Sequence, residues 1–233
     1  MENHMVVEVW SDILCPFCYI GKRRLEQALH QFVHRERIEI VWKSFLLNPN
    51  QVTDPSRSIV EDLALHKGIS LENAANLFTQ VKVMAQEVDL EFNIDSMVVA
   101  NSVKAHCLSH LAKEFDKQND VEELLFEAHF TKGKNIDNIE TLVNIGLEVG
   151  LAAEVTRSAL QSNKYLPEVE LDIYEAKQVG LRSVPYFAFN NRYSITGAQG
   201  IEAFSKTLEH AFNEWSREQS VIKVDIAIGK KNV

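Results

Sequence analysis

Strand-like sequence lies toward the two ends of this chain, and the long stretch between them has the periodicity of helices. An apolar run at residues 6–10 predicts a buried strand, residues 15–34 carry apolar side chains at helical spacing, and residues 38–45 alternate like a second strand. This order of strand, helix and strand predicts a parallel pair of strands joined by a right-handed crossover.

The C-terminal part has a second mixed pattern. A helix is predicted over residues 164–179, and two short strands are predicted over residues 184–189 and 192–196. The dipeptide between these strands, Asn190-Asn191, tolerates positive φ angles, which is typical of a hairpin turn. A closing helix is predicted over residues 199–215.

The region between these two parts predicts helices alone. Apolar residues recur at helical spacing over residues 58–67, 70–87, 96–117, 121–132, 138–149 and 152–162. We therefore expect an α/β protein in which a thioredoxin-like domain, residues 1–50 and 164–216, is split by an all-helical insertion domain, residues 51–163. Residues 217–233 predict either a C-terminal tail or an extra edge strand, which would also allow pairing into a homodimer.

The composition argues against several classes of protein. The net charge is -9 and the sequence has no clustered basic stripe that could bind a phosphate backbone, so a nucleic-acid-binding protein is not expected. No apolar stretch reaches the ~18 residues of a membrane-spanning helix, so no membrane partner is expected. The N-terminal residues lack the pattern of a signal peptide, and three cysteines are too few for a disulfide scaffold. These features predict a cytoplasmic protein.

Two of the cysteines form the motif Cys15-Pro16-Phe17-Cys18 at the start of the first predicted helix. Residues i and i+3 of a helix lie roughly 5–6 Å apart, within the range that a disulfide needs. Free N–H groups and the positive end of the helix dipole would stabilise a thiolate at Cys15. Cys18 is predicted to be more shielded and to act as the resolving thiol.

Two other roles are open to this motif. A zinc site needs about four ligands, and no second CxxC or histidine pair follows at the spacing of a zinc finger, so no metal is predicted. A pair of inert thiols is the other alternative. The strand before the motif and the helix after it favour redox chemistry.

Val184-Pro185, at the start of the predicted hairpin, is the second informative feature. In a thioredoxin-like fold this loop approaches the CxxC motif, and a cis X-Pro bond there turns backbone groups toward the substrate. We therefore predict a cis bond. The alternative is a trans proline that opens an edge strand.

Three segments together resemble the DsbA-like FrnE oxidoreductases. They are Ser11-Asp12-Ile13-Leu14-Cys15-Pro16-Phe17-Cys18-Tyr19-Ile20-Gly21-Lys22, Arg182-Ser183-Val184-Pro185-Tyr186-Phe187 and Tyr193-Ser194-Ile195-Thr196-Gly197-Ala198-Gln199. The resemblance spans nearly the whole chain. It implies a thioredoxin fold with a helical insertion and a thiol–disulfide exchange activity carried by Cys15, Cys18 and Pro185. The related 2-hydroxychromene-2-carboxylate isomerases and kappa-class glutathione transferases usually have Ser where Cys15 stands.

The predicted function is therefore that of an enzyme, a thiol–disulfide oxidoreductase acting on protein or small thiol substrates. No cofactor is expected, and glutathione is a candidate co-substrate. One alternative is a glutathione-dependent isomerase or transferase, although such a reaction needs no resolving thiol and Cys18 is present. Another is a redox-sensing or chaperone-like binding module. Phe17 stands where periplasmic DsbA carries His and offers no charge to hold a thiolate, which predicts a less oxidising couple.

The predicted supporting residues are Asp12, Pro16, Phe17, Val184 and Pro185. Asp12 precedes the helix and either relays a proton or, as is commoner for an acidic residue at such a place, caps the helix. Trp10 and Phe17 are candidates for an apolar rim that contacts peptide substrates, although a core position is the commoner role for Trp10.

For several further polar residues the sequence is compatible with two roles. Lys22 and Arg23 either attract an anionic substrate or, as is commoner, lie on a solvated helix face. His106 and His110 have the i, i+4 spacing of a metal pair but no carboxylate at a matching motif position, so surface or packed histidines are predicted. The resemblance implies that the segment around His129 can face the active-site cleft.

Overall fold

The computed structural model describes residues 4–229, with side chains through residue 220. Within that range the elements are β1 (Met5–Ser11), α1 (Pro16–Gln31), β2 (Ile38–Ser44), α2 (Ile59–Lys67), α3 (Leu71–Gln86), α4 (Val103–Lys113), α5 (Gln118–Phe130), α6 (Ile139–Glu148), α7 (Ala153–Gln161), α8 (Leu166–Gln178), β3 (Tyr186–Phe189), β4 (Tyr193–Thr196) and α9 (Ile201–Gly229). Single turns of 3₁₀ helix occur at Arg35–Arg37 and Ile94–Ser96.

The four strands form one mixed sheet in the order β2-β1-β3-β4. β1 and β2 are parallel with Met5 opposite Ile38, which confirms the predicted parallel pair. β3 runs antiparallel to β1 and forms a hairpin with β4. The turn of that hairpin has positive φ at Asn190 and Asn191, as their sequence predicted.

Helices cover both faces of this sheet. Val9 lies opposite Phe187 on one face, and the Phe187 ring packs edge-on against Phe204 of α9 at 4.8 Å. Successive residues of a strand point to opposite faces, so Trp10 faces the other way, where its indole Nε1 donates to the Asp172 carbonyl of α8 at 3.3 Å. This architecture confirms the predicted α/β fold of thioredoxin type.

The helices α2 to α7 lie between β2 and α8 in sequence, and α5 packs against the edge strand β2. The side chain of Gln118 on α5 accepts a hydrogen bond from the Trp42 backbone N–H at 3.1 Å and donates to the Trp42 carbonyl at 3.0 Å. A glutamine therefore satisfies part of the exposed edge of β2 as a neighbouring strand would. The division into domains at residues 50/51 and 163/164 stays a prediction.

The predicted helix over residues 96–117 is wrong in its first part. Residues 97–102 form no helix, and α4 begins only at Val103. The Asp54 N–H donates to the Val99 carbonyl at 2.9 Å, and Asn101 Oδ1 accepts from the Val103 N–H at 2.8 Å. These contacts hold the segment open and delay the start of the helix.

The C-terminal region also differs from expectation. The extra edge strand predicted within residues 217–233 is wrong, because α9 continues through residue 229. Residues 230–233 lie outside the described part of the chain. A helix satisfies its backbone hydrogen bonds internally, so this segment needs no sheet edge. Across residues 4–229, no helix combines the length and the apolar character needed to cross a bilayer.

Candidate redox site

The motif lies where β1 ends and α1 begins. The Cys15 N–H donates to the Asp12 carbonyl at 2.9 Å, which closes a turn, and Cys15 is the N-cap residue of α1 with φ -92° and ψ 110°. Pro16 occupies the first helical position, where its missing N–H costs no helical hydrogen bond. The helix therefore begins directly after Cys15, the residue that the sequence predicted to carry the thiolate.

The loop before β3 meets this helix start. The Cys15 Sγ donates a weak hydrogen bond to the Val184 carbonyl at 3.7 Å, although 169 residues separate the two in sequence. The Val184–Pro185 peptide bond is cis, and the Pro185 carbonyl accepts from the Gly197 N–H at 2.8 Å. The structure thus brings the two predicted features, the CxxC motif and the proline loop, together.

Gly21 allows this close approach. A Cβ atom at Gly21 would lie 3.0 Å from Cζ of Phe187 and 3.2 Å from Cγ of Pro185. Any larger residue at this position would push α1 away from the proline loop. The sequence reasoning did not identify Gly21, and its only signal was a glycine within a helical pattern.

Both thiols of the motif are nearly inaccessible to solvent. Cys15 is 3% exposed and Cys18 is 1% exposed, so Cys18 is slightly the more shielded of the two. Both are free cysteines, as is Cys107. Burial and the neighbouring Cys15 sulfur raise the pKa of Cys18 well above its usual value, although the Ser11 hydroxyl and a backbone hydrogen bond from Asp12 act in the opposite direction. Burial therefore favours the neutral thiol form of Cys18.

Asp12 does not cap the helix, contrary to the commoner of its two predicted roles. Its carboxylate is fully buried and accepts from the Leu14 N–H at 3.1 Å and from the Leu47 N–H at 2.8 Å. Leu47 follows β2, so Asp12 joins the active-site loop to the loop at the end of the neighbouring strand. Asp12 is therefore an internal support of the motif.

A histidine of the helical insertion lies against this carboxylate. Nε2 of His106 on α4 is 3.6 Å from Asp12 Oδ1, an ion-pair distance rather than a close hydrogen bond. Burial alone would raise the pKa of Asp12, but the His106 ring and the two backbone N–H groups lower it. Burial alone would likewise lower the pKa of His106, but Asp12, with Glu122 and Asp172 at longer range, raises it. Both residues therefore favour their charged forms.

His106 and His110 do not form a metal pair. Nε2 of His110 lies 3.1 Å from Asp172 Oδ2 on α8, so each histidine pairs with a different carboxylate. Within the described residues there is no group of three or more side chains that could hold a metal ion. The prediction of packed histidines is thereby confirmed for this pair, since both are buried.

His129, on α5, is also in the interior. It is 1% exposed, and its ring packs edge-on against Phe130 at 4.7 Å. Neither ring nitrogen has a hydrogen-bond partner among the described residues. Burial lowers the pKa of His129 to about 4, and the Asp12 charge only partly opposes this shift. The ring is therefore neutral near pH 7.

The prediction of a solvated face at Lys22 is wrong. Its side chain is 2% exposed, and the ammonium pairs with Glu26 of α1 and with Glu123 of α5, the latter at 2.6 Å. Arg23 contacts the same two carboxylates. Burial alone would raise the pKa of Glu123, but Arg23 and Lys22 lower it to about 2. This face of α1 is an interface with the helical insertion.

Phe17 is the apolar side chain of the motif that reaches solvent, with 38% of its surface exposed. Trp10 is 5% exposed and packs edge-on against Tyr186. Two surface cavities of about 240 and 390 Å³ lie elsewhere, one beside α5 and α6 and one between α4 and α8, and neither is lined by a residue of the motif. Phe17 therefore presents an exposed apolar surface within the motif itself.

Comparison with known proteins gives a consistent relationship. Residues 6–209 match the sequence profile of the family described as "DSBA-like thioredoxin domain". A probable DsbA oxidoreductase from Streptomyces coelicolor is 34% identical, with 91% of each chain covered and a TM-score of 0.84. The protein YwbO of Bacillus subtilis is 26% identical over 216 residues, which are 87% of this chain and 94% of YwbO.

A more distant match shows the same fold. The cytosolic disulfide reductase DsbM from Pseudomonas aeruginosa, in a structure with GSH, is 17% identical, with 89% of this chain and 99% of that chain covered and a TM-score of 0.62. Because the family profile covers most of the sequence, the relationship does not depend on this match. The protein belongs to the DsbA-like thioredoxin domain family of thiol–disulfide oxidoreductases.

Proposed function

We propose that the protein is a thiol–disulfide oxidoreductase of the FrnE type, with Cys15 as the nucleophile and Cys18 as the resolving thiol. The observation that carries this proposal is the arrangement of two free thiols in the first turn of α1. Cys15 is the N-cap residue of α1 and its Sγ lies 3.7 Å from the Val184 carbonyl oxygen, whereas burial raises the pKa of Cys18. The two thiols therefore have different environments, as a nucleophile and a resolving group require.

In the first step the Cys15 thiolate attacks one sulfur of a substrate disulfide. A bond forms between Cys15 Sγ and that sulfur, the substrate disulfide breaks, and the departing substrate sulfur takes up a proton. The N-terminal N–H groups of α1 stabilise the thiolate before the attack. Since Cys15 is 3% exposed, the reaction requires a local opening between Phe17 and the proline loop.

In the second step Cys18 loses its proton and attacks Cys15 Sγ. The Cys15–Cys18 disulfide forms, and the second substrate sulfur leaves as a thiol, so the substrate gains two electrons and two protons. Ser11 and the Asp12 backbone, which adjoin Cys18, lower the pKa of that thiol and so favour its deprotonation. The reverse sequence would oxidise a dithiol substrate.

The substrates we propose are disulfides of proteins or small thiols, with glutathione as a candidate co-substrate and no bound cofactor. The exposed Phe17 ring and the backbone of Val184 and Pro185 would contact the substrate chain. The DsbM structure holds GSH, but at 17% identity it supports the fold alone. Glutathione therefore enters this proposal through the chemistry of a CxxC motif. We further propose that the protein acts in the cytoplasm, where thiols are kept reduced.

The test is reduction of insulin by dithiothreitol, compared for the wild-type protein, Cys15→Ser, Cys18→Ser and Cys107→Ser. Loss of activity is expected for Cys15→Ser. Cys107 is buried in α4 apart from the motif, so Cys107→Ser should keep the wild-type rate and controls for the removal of a buried thiol. Full activity of Cys15→Ser on a disulfide substrate would refute the proposal.

A second measurement separates the proposal from its alternatives. Cys18→Ser should accumulate a mixed disulfide on Cys15, which mass spectrometry of the trapped adducts detects. A glutathione-dependent isomerase or transferase needs no resolving thiol, so its Cys18→Ser variant would keep the wild-type rate of turnover. A binding module would hold its partner without catalysing insulin reduction.

A further inference from the structure

Two histidines on α4 each meet a buried carboxylate from a different part of the fold. His106 lies 3.6 Å from Asp12, and His110 lies 3.1 Å from Asp172. These two pairs are similar in chemistry and burial. They differ in position, because only Asp12 belongs to the loop that carries the redox motif.

The Asp12 backbone adjoins both cysteines. Its carbonyl accepts from the Cys15 N–H at 2.9 Å, and the Asp12 backbone also lowers the pKa of Cys18. The carboxylate itself is fixed by the Leu14 and Leu47 N–H groups. Asp12 is fully buried, so solvent screens its charge only weakly.

The surroundings of this pair are also charged or titratable. The groups that face it are Glu122 and His129 from α5 and Asp172 from α8. Glu122 is buried and bonded to Ser109, and burial raises the pKa of that carboxyl. The Asp12–His106 pair is therefore a buried pair of opposite charges that adjoins the motif from the side of the insertion.

We propose that Asp12 and His106 set the redox equilibrium of the Cys15–Cys18 couple through opposite electrostatic effects. This inference rests on the proposed function. Two glutathione molecules reduce the Cys15–Cys18 disulfide and become one glutathione disulfide. The protein gains two electrons and one proton, so it ends with one thiol and one thiolate. The second glutathione proton is released to solvent. A buried negative charge at Asp12 disfavours that thiolate, and the positive charge of His106 offsets it. The helical insertion thereby adjusts how oxidising the couple is.

The test is the equilibrium constant with glutathione at pH 7 for wild type, Asp12→Asn and His106→Gln. Removing the carboxylate should stabilise the reduced form and shift the constant roughly tenfold toward a more oxidising couple. Removing the imidazole leaves Asp12 charged, because two backbone N–H groups still hold it, and should shift the constant roughly tenfold the other way. The double variant should fall between the two single variants.

Asp172→Asn and His110→Gln are matched controls, because they make the same substitutions in the second pair. They should shift the equilibrium constant by much less than the first pair does, because Asp172 acts on His106 only at longer range. Shifts of equal size in both pairs, or shifts of the same sign for Asp12→Asn and His106→Gln, would overturn the proposal. Should wild type form no Cys15–Cys18 disulfide in glutathione buffers, the proposed function itself fails, which is a separate outcome.

A measurement on the wild-type protein tests the proposal even if one of the variants does not fold. If the positive charge of His106 favours the thiolate, linkage requires that the thiolate also favours the protonated form of His106. Reduction of the disulfide should therefore raise the pKa of His106, which NMR measures. The ring resonances of His110 provide an internal reference. An identical His106 titration in the oxidised and reduced forms would contradict the inference.

Discussion

The hydroxyl of Tyr19, the residue after the second cysteine of the motif, donates a 2.7 Å hydrogen bond to Oε1 of Glu123 on α5. The Tyr19 ring also stacks on Phe126 of the same helix, with ring centroids 5.0 Å apart. Glu123 additionally binds Lys22 and Arg23 of α1. The first turns of the redox helix are therefore attached to the helical insertion by an ionic network and by aromatic packing.

Glu123→Ala should destabilise the protein through this network. The substitution leaves the buried Lys22 ammonium with Glu26 as its remaining partner and removes the acceptor of the Tyr19 hydroxyl. Breaking a buried pair costs about 3–5 kcal/mol, and since Glu123 is 28% exposed we expect a loss of about 2–3 kcal/mol in the free energy of unfolding. Urea denaturation measures it.

Glu140→Ala is the control for that experiment. Glu140 pairs with Arg157 on the surface, so its removal should cause no measurable change in the urea midpoint. Equal midpoints for wild type and Glu123→Ala would show that the network contributes nothing to stability.

His129→Leu should alter how stability depends on pH. The folded pKa of His129 is about 4, below its ordinary value of 6.5, so the unfolded chain binds the proton first as pH falls. Stability is therefore lost progressively below pH 6.5 until pH approaches 4. Between pH 7.5 and pH 5 the wild type should lose about 2 kcal/mol more than His129→Leu does.

Thermal or urea unfolding at the two pH values measures this difference. His30→Leu is the matched control, because His30 is exposed on α1 and should leave the wild-type pH profile unchanged. If wild type and His129→Leu lost the same stability between these pH values, the buried imidazole would not be the titrating group.

Phe17→His should make the redox couple more oxidising. The Phe17 side chain has no charge to stabilise a thiolate at Cys15, and an imidazole there would provide a donor and, when protonated, a positive charge. We expect wild type to have a potential below the roughly -120 mV of DsbA and the variant to lie at least about 30 mV above wild type. Equilibration with glutathione buffers gives both values.

Phe115→His serves as the control, since Phe115 is an exposed ring outside the motif. Its potential should match that of wild type. A wild-type potential near the DsbA value, or a Phe17→His variant more reducing than wild type, would contradict this account of the motif.

Most of the architecture follows from local patterns in the sequence. Apolar periodicity is a local property, so it located α1, the hairpin and most of the insertion helices. The strand before Cys15-Pro16-Phe17-Cys18 and the helix after it placed the two thiols in a first helical turn, which the structure also has. Periodicity failed over residues 97–102, where contacts with a distant segment prevented the helix.

The surroundings of the thiols depend on contacts between segments that are far apart in the chain. Lys22 is charged in sequence and was predicted to be solvated, but its partner Glu123 lies 101 residues away. Asp12 resembled a helix cap, but it bonds to Leu47 and faces His106. The physical reason is that burial and charge pairing depend on which segments fold together, and local sequence patterns carry no information about partners so far apart in the chain.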